Sequence, residues 1–212
     1  MLKTVRVVFS KTGRARFISH LDLVRTMTRV VRRAEIPLWY TEGFNRHPYL
    51  TFAAPLSLGF EGLRESMDIR LQEDMTYDEL VARLNAALPE GFTAISAAEA
   101  MHKVGDLTAA RYRLRLDCPM EKVLALLARS EILVEKRTKK KTMKTLDIRP
   151  AFADAVATAC EEGTEVVVTL PVGNDTVNPN LLLQALNAAF GEEYHLRVLR
   201  LDLLTADGKP FC

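Results

Sequence analysis

Apolar and polar residues alternate over Leu2–Ser10, where Val5, Val7 and Phe9 are set against Thr4, Arg6 and Val8, and this predicts a first strand. Lys11-Thr12-Gly13 makes a turn. Ser19 followed by Asp22 is an S-x-x-D capping box, which predicts a helix of about 16 residues that ends before Pro37. Leu38–Tyr40 and Leu50–Ala54 read as extended pieces around a Gly43–Pro48 loop. Ser66–Gln72 alternates as a third strand. Asp74–Leu88 is a second helix that starts near Thr76 and stops before Pro89 and Gly91, and Phe92–Ala98 is a fourth strand.

The order then repeats after a polar link near 101–109. Arg111–Asp117 alternates as a half-exposed strand, and Pro119–Ser130 is a helix with Val123, Leu124 and Leu127 on one face. Ile132–Lys136 and Lys144–Arg149 are strand pieces around a lysine-rich tip, and Glu165–Pro171 is a strong strand. Asn178-Pro179 opens a helix through Phe190, Gly191 stops it, and Tyr194–Leu203 is the last strand. Strand-helix-strand-strand-helix-strand, twice over, predicts an α+β chain of two tandem ferredoxin-like units with antiparallel sheets, residues 1–100 and 110–212. The two halves share no close sequence repeat.

Composition narrows the class. The chain has 212 residues, of which 48% are hydrophobic, enough for a packed core and too many for a disordered chain. No apolar run approaches the roughly 18–20 residues of a membrane span, and the charged N-terminus is neither a signal nor a transit peptide. Cys118, Cys160 and Cys212 are dispersed and odd in number, which fits a reducing cytoplasm. The lack of a CxxC or CxxxCxxC pattern argues against a zinc ribbon or a cysteine-ligated iron–sulfur cluster in this chain. His20, His47, His102 and His195 are scattered, so no metal site is expected.

Charge distribution changes the picture most. The whole chain has a net charge of +2, but residues 1–33 carry +8 and residues 136–149 carry +6, leaving −12 on the remainder. Two basic islands on an acidic body suit a polyanion, because clustered Lys and Arg release phosphate counterions while the acidic remainder discourages indiscriminate binding. Arg16 belongs to the first island. On the first helix, Leu21, Val24, Met27, Thr28, Val31 and Ala34 share a broad apolar face, with Leu23 and Val30 at its edge. Asp22, Arg25, Arg29, Arg32 and Arg33 share the other, where the four arginines form a ladder about 12 Å long. Such a face is either simply solvated or a contact for phosphate or an acidic partner.

Individual residues stay open at this level. His20 falls on the apolar side of the helix, as a packed histidine or as an acid–base group near neutral pH. Asp22 is a cap or, less simply, a catalytic carboxylate. In the loop, Phe44, Asn45, Arg46 and His47 interleave stacking faces with charge, as single-stranded RNA recognition requires; a hairpin held by a buried aromatic reads the same way. Lys136, Lys139, Lys140, Lys141 and Lys144 form a tip that grips phosphate without reading sequence. Asp147 and Arg149 would face one side of a strand.

At these positions the chain resembles a family of radical-SAM-linked proteins. Arg16-Phe17-Ile18-Ser19-His20-Leu21-Asp22 matches its R-F-x-S-H-L-D signature, and Tyr40–Pro48 matches Y-[ST]-x-G-F-N-P-H-P. Pro55-Leu56-Ser57-Leu58-Gly59 matches P-L-x-x-G, and Leu146-Asp147-Ile148-Arg149-Pro150 matches L-D-I-R-P. Arg46 departs from the family's proline, which loosens the loop and adds charge. The resemblance implies an accessory protein that presents tRNA or rRNA to a partner radical-SAM modification enzyme. The iron–sulfur cluster and SAM would belong to that partner, with no cofactor in this chain, and a ribonuclease of the E/G type is a further expected partner. The architecture is also similar to the paired ferredoxin-like domains of tRNA pseudouridine synthases and of RAMP-type CRISPR RNA endonucleases, by fold analogy alone. Two other functions remain: a metal-independent endoribonuclease using His20, with Arg25 or Arg29 steadying the phosphorane, and a protein-docking module with no RNA role.

Overall fold

The computed structural model describes residues 3–137, 142–173 and 176–212. The chain forms two compact units, Met1–Leu107 together with Arg200–Cys212, and Thr108–Leu199. Both mix strands and helices, the strand pairing is mostly antiparallel, and four α-helices occur among the described residues.

In the first unit, β1 (Lys3–Lys11) leads into α1 (His20–Arg33), β2 (Leu50–Phe52), β3 (Glu61–Leu71), α2 (Tyr77–Ala87) and β4 (Phe92–Glu99). β4 and β3 flank β1, and β2 pairs with β3 from Leu50 opposite Ile69 to Phe52 opposite Met67. Both predicted helix starts are built as the sequence reads: Ser19 accepts from Asp22 N–H, and Thr76 accepts from Glu79 N–H. One sheet face carries Val5, Val7 and Phe9 beside Met67, Ile69 and Leu71. It packs on Leu23, Met27, Val30 and Val31 of α1 and on Leu80 and Leu84 of α2. Each such fully buried side chain stabilises by roughly 1.5–3 kcal/mol.

The helix stripe is rotated from the sequence wheel. Leu21, expected on the apolar face, is exposed. At 100° per residue it lies about 120° from Met27, outside the stripe that touches the sheet.

The other sheet face is buried too, which alternation did not predict. On it, Arg6 is only 4% exposed; on the helix-packed face, Lys11 at the strand's end is only 1% exposed and Glu65 lies opposite Phe9. Arg6 grips Asp68 through two bonds (Nε–Oδ1 2.7 Å, Nη2–Oδ2 2.9 Å) and donates to the carbonyls of His102 (2.8 Å) and Phe211 (3.0 Å). Its guanidinium also lies 3.9 Å from the Phe211 ring centre. Glu65 is buried against Arg200, which donates besides to the Ala54 carbonyl at 2.8 Å. β3 therefore begins at Glu61, five residues before the predicted Ser66. Its first stretch is charged and glycine-containing, and only pairing with Arg200 lets Glu65 be inside.

The second unit contains β5 (Leu107–Leu116, whose first residue belongs to the first unit), α3 (Met120–Leu127), β6 (Leu133–Arg137), β7 (Met143–Asp147), β8 (Val156–Cys160), β9 (Gly163–Pro171) and α4 (Asn180–Phe190). β5 pairs with β9 and β9 with β8, while β6 and β7 form a separate hairpin. β10 (Leu196–Thr205) is divided between the units, its residues through Leu199 in the second and Arg200–Thr205 in the first. α4 ends on Gly191 in the left-handed region (φ 67°), as its glycine predicts. β8 was not predicted: its residues are mostly exposed, so no apolar alternation marks it.

Asp68→Ala leaves Arg6 buried and unpaired. It is expected to lower unfolding stability by about 3–5 kcal/mol, read by urea denaturation, with Asp68→Asn intermediate. A stability within about 0.5 kcal/mol of wild type would show that Arg6 does not depend on this carboxylate.

Candidate nucleic-acid interface

The outward face of α1 carries Asp22, Arg25, Arg29, Arg32 and Arg33, all exposed. Ser19 donates its hydroxyl to Asp22 Oδ2 at 2.7 Å, and Arg25 donates to Asp22 Oδ1 at 3.0 Å. These bonds, that of Ser19 first, hold the Asp22 carboxyl below its ordinary pKa. Both carboxylate oxygens thus serve the cap and one arginine. Arg32 sits 5.9 Å from the Tyr40 ring centre. Arg33 reaches the Ala87 carbonyl at 3.5 Å and, with Arg83, borders an open depression of about 320 Å³. Among the described residues, no carboxylate pairs with Arg29.

Two of the nine basic residues of the first island are not surface groups. Arg6 is spent on Asp68, and Lys11 is buried with its ammonium on the Ile18 carbonyl at 2.9 Å and the Arg16 carbonyl at 3.4 Å. Burial pushes the Lys11 pKa down, Glu65 opposes that shift and Arg200 adds to it. Lys3 lies over the Tyr77 ring at 4.9 Å. The usable charge is therefore the arginines: Arg14 and Arg16 before the helix, the latter 4.7 Å from the Phe17 ring centre, and the ladder on α1.

Residues 40–48 form a closed loop. Tyr40 bridges Pro48, Thr41 N–H donates to the His47 carbonyl at 2.9 Å, and His47 N–H donates to Thr41 Oγ1 at 3.3 Å. The His47 ring uses Nδ1 inward, 3.1 Å from both Thr41 Oγ1 and the Asn45 carbonyl. At the loop base, Arg70 lies 4.3 Å from the Tyr49 ring centre and 5.4 Å from that of Trp39. The loop is closed by polar bonds rather than by a buried aromatic, so Phe44 is left free at its tip, 103% exposed. Asn45, Arg46 and His47 are exposed beside it.

His20, the first residue of α1, lies on its inward side, half-buried. Its ring meets Phe52 edge-on (centroids 5.6 Å, 86°), and Phe52 meets Phe9 in the same way. Nδ1 is buried without a hydrogen-bond partner among the described residues. Burial, then the charge of Lys11, pulls its pKa below the ordinary 6.5. The imidazole is thus neutral at pH 7 and packed against aromatic carbon. Sequence reasoning missed its surroundings, because β2, which carries Phe52, is placed only by its pairing with β3.

In the second unit, Lys136 and Lys144 are directly opposite one another in the β6–β7 hairpin, a like-charge pair that destabilises the ladder unless an anion lies near. Lys136 donates to the Thr176 carbonyl at 3.4 Å. Lys139, Lys140 and Lys141 lie outside the described residues. Asp147 and Arg149 do not share a strand face. The strand ends at Asp147, whose Oδ1 accepts from Ile132 N–H (2.8 Å) and Arg149 N–H (2.9 Å), and Arg149 opens a short 3-10 turn. The Leu146–Pro150 motif is therefore a structural turn, with Ile148 and Phe152 fully buried beneath it.

The sequence pattern of the family described as "Uncharacterized protein conserved in bacteria (DUF2344)" matches residues 4–182. This chain belongs to the DUF2344 family. That description names no activity or partner, so the radical-SAM link rests on the sequence motifs alone. Among curated proteins, none matches this DUF2344 chain. A crystal structure of an unknown protein from Galdieria sulphuraria is 12% identical, covering 94% of this chain and 99% of that one, with a TM-score of 0.30. At that level it informs neither fold nor function. Among the described residues, no three His, Cys, Asp or Glu side chains come together as a metal site, and no helix is long and apolar enough to cross a membrane.

A His20 imidazole shifted below 6.5 is protonated more readily in the unfolded chain. Its contribution to stability is therefore complete above pH 6.5 and is lost as the pH falls from there toward the folded-state value. NMR titration of the ring protons is expected to give a midpoint below 6.5, and His20→Leu is expected to remove this part of the acid-side loss. A midpoint at or above 6.5 would contradict the packed, neutral histidine.

Proposed function

We propose that this DUF2344 chain is an RNA-binding accessory protein that presents tRNA or rRNA to a partner radical-SAM modification enzyme, which would hold the iron–sulfur cluster and SAM. The observation that carries this reading is the pairing, within one unit, of a guanidinium face on α1 with a polar-closed loop that leaves Phe44 bare at its tip. Guanidinium groups take phosphate oxygens bidentately, and a rigidly presented aromatic ring takes an unpaired base by stacking. The like-charged Lys136–Lys144 pair supports a second anionic contact in the other unit.

The finer fold belongs to this reading. The antiparallel neighbours β4-β1-β3-β2 in the first unit and β10-β5-β9-β8 in the second, each with two helices, support tandem ferredoxin-like units. In the second, β6 and β7 would be an insertion. Three free cysteines are in keeping with a cytoplasmic protein. Chemistry by this chain itself has less support. Asp22 is committed to its cap, and His20 faces Phe52 rather than the arginine ladder.

The test is fluorescence anisotropy with bulk tRNA and rRNA fragments across salt concentrations. Wild type should bind tightly at low salt with a steep salt slope. Arg29→Glu should weaken binding and reduce that slope by about one. Phe44→Ala should cost about tenfold on single-stranded RNA and little on duplex. Absence of binding at low salt would sink the RNA reading. RNA cleavage that His20→Ala abolishes would replace it with a ribonuclease.

A further inference from the structure

Phe17, Leu21 and Leu58 are large apolar side chains at 63%, 59% and 62% exposure, and neither the fold nor the arginine ladder explains them. They come from neighbouring backbone. Phe17 ends the short 3-10 turn before α1, and Leu21 is the second residue of α1. Gly59 N–H donates to the Arg16 carbonyl at 2.8 Å, which fixes Leu58 next to Phe17. The underlying frame is firm, because Leu56 and Phe60 on either side of Leu58 are buried and Lys11 holds the Arg16 and Ile18 carbonyls.

The rim around these three is positive. Arg14, Arg16, Arg25 and Arg29 belong to the same segment. Asp22, the carboxylate of this segment, is engaged by Ser19 and Arg25, and Glu61 at the start of β3 accepts from Gly13 N–H at 2.6 Å. An apolar centre inside a charged rim is the anatomy of a protein–protein contact. RNA is a poor occupant, since leucine side chains offer neither a stacking plane nor a hydrogen bond. A second copy of this chain is also a poor occupant, because a two-fold contact would set arginine rim against arginine rim.

We propose that this patch docks an acidic amphipathic segment of a protein partner, with its apolar side chains on Phe17, Leu21 and Leu58 and its carboxylates on the surrounding arginines. The inference goes beyond the RNA reading: its apolar centre stands on different residues from Phe44 and the loop, while its rim shares Arg25 and Arg29 with the ladder. It gives the accessory protein a separate handle for its partner.

The probe is a fluorescein-labelled synthetic helical peptide of about 15 residues with leucines on one face and glutamates on the rest. Two control peptides replace its leucines with serine or its glutamates with lysine. The acidic leucine peptide should bind the full chain at least about tenfold more tightly than either control, and Leu21→Ser/Leu58→Ser should remove most of that advantage. Both substitutions are at exposed positions, and circular dichroism checks that the fold is kept. The same double variant should bind tRNA as wild type does, so loss of peptide binding and loss of RNA binding report separately. Equal binding of all three peptides, or no binding, overturns the proposal. Parallel loss of RNA affinity in the double variant assigns the patch to RNA instead. A wild-type dimer in sedimentation that the double variant dissociates assigns it to a second copy.

Discussion

The first unit depends on Arg6 and Asp68. A charged side chain on β1 can be inside only if its charge is met, and here a bidentate carboxylate and two backbone carbonyls take four of the five guanidinium N–H donors beside an aromatic ring. The partners come from β3, from the segment after β4 and from the chain's last residues. One guanidinium therefore fixes three stretches far apart in sequence. The same device recurs where Glu65 meets Arg200. Both carboxylates lie on β3, so that strand joins the sheet from Glu61 although its first half looks like a solvated loop.

This arrangement sorts the basic residues by role. Those on β1 are structural: Arg6 neutralises Asp68, and Lys11 satisfies the carbonyls that lead into α1. Those on α1 point to solvent because the helix spends its inward stripe on Val7, Phe9, Met67 and Ile69. The phosphate-binding capacity proposed here is thus a by-product of helix-on-sheet packing. The loop obeys a related rule. Its polar groups close on one another, Thr41 with His47 and His47 with Asn45, so no hydrophobic contact is required and Phe44 stays available.

Local signals were legible wherever the physics is local. Ser19 and Thr76 cap their helices, Gly191 ends one, and the strong alternation of Glu165–Pro171 is a strand. The arginine face of α1 and the loop at 40–48 were also readable, because each is built from consecutive residues. What escaped was non-local. The edge strand Val156–Cys160 has no apolar face to announce it. Leu21 lies just outside a stripe whose centre is set by the sheet. Asp147 and Arg149 alternate like strand neighbours, yet the Asp147 carboxylate caps Ile132 and ends the strand.

By itself, the sequence determined the α+β class, most of the element order, the helix caps and the position of the basic islands, since these follow from spacing and composition along the chain. Only the tertiary structure decided which charges are inside. Whether Arg6 or Lys11 is surface or core depends on a carboxylate or carbonyl that arrives from elsewhere in the chain. Periodicity records the face of a residue, but the free energy of burying a charge is set by the partner it meets there.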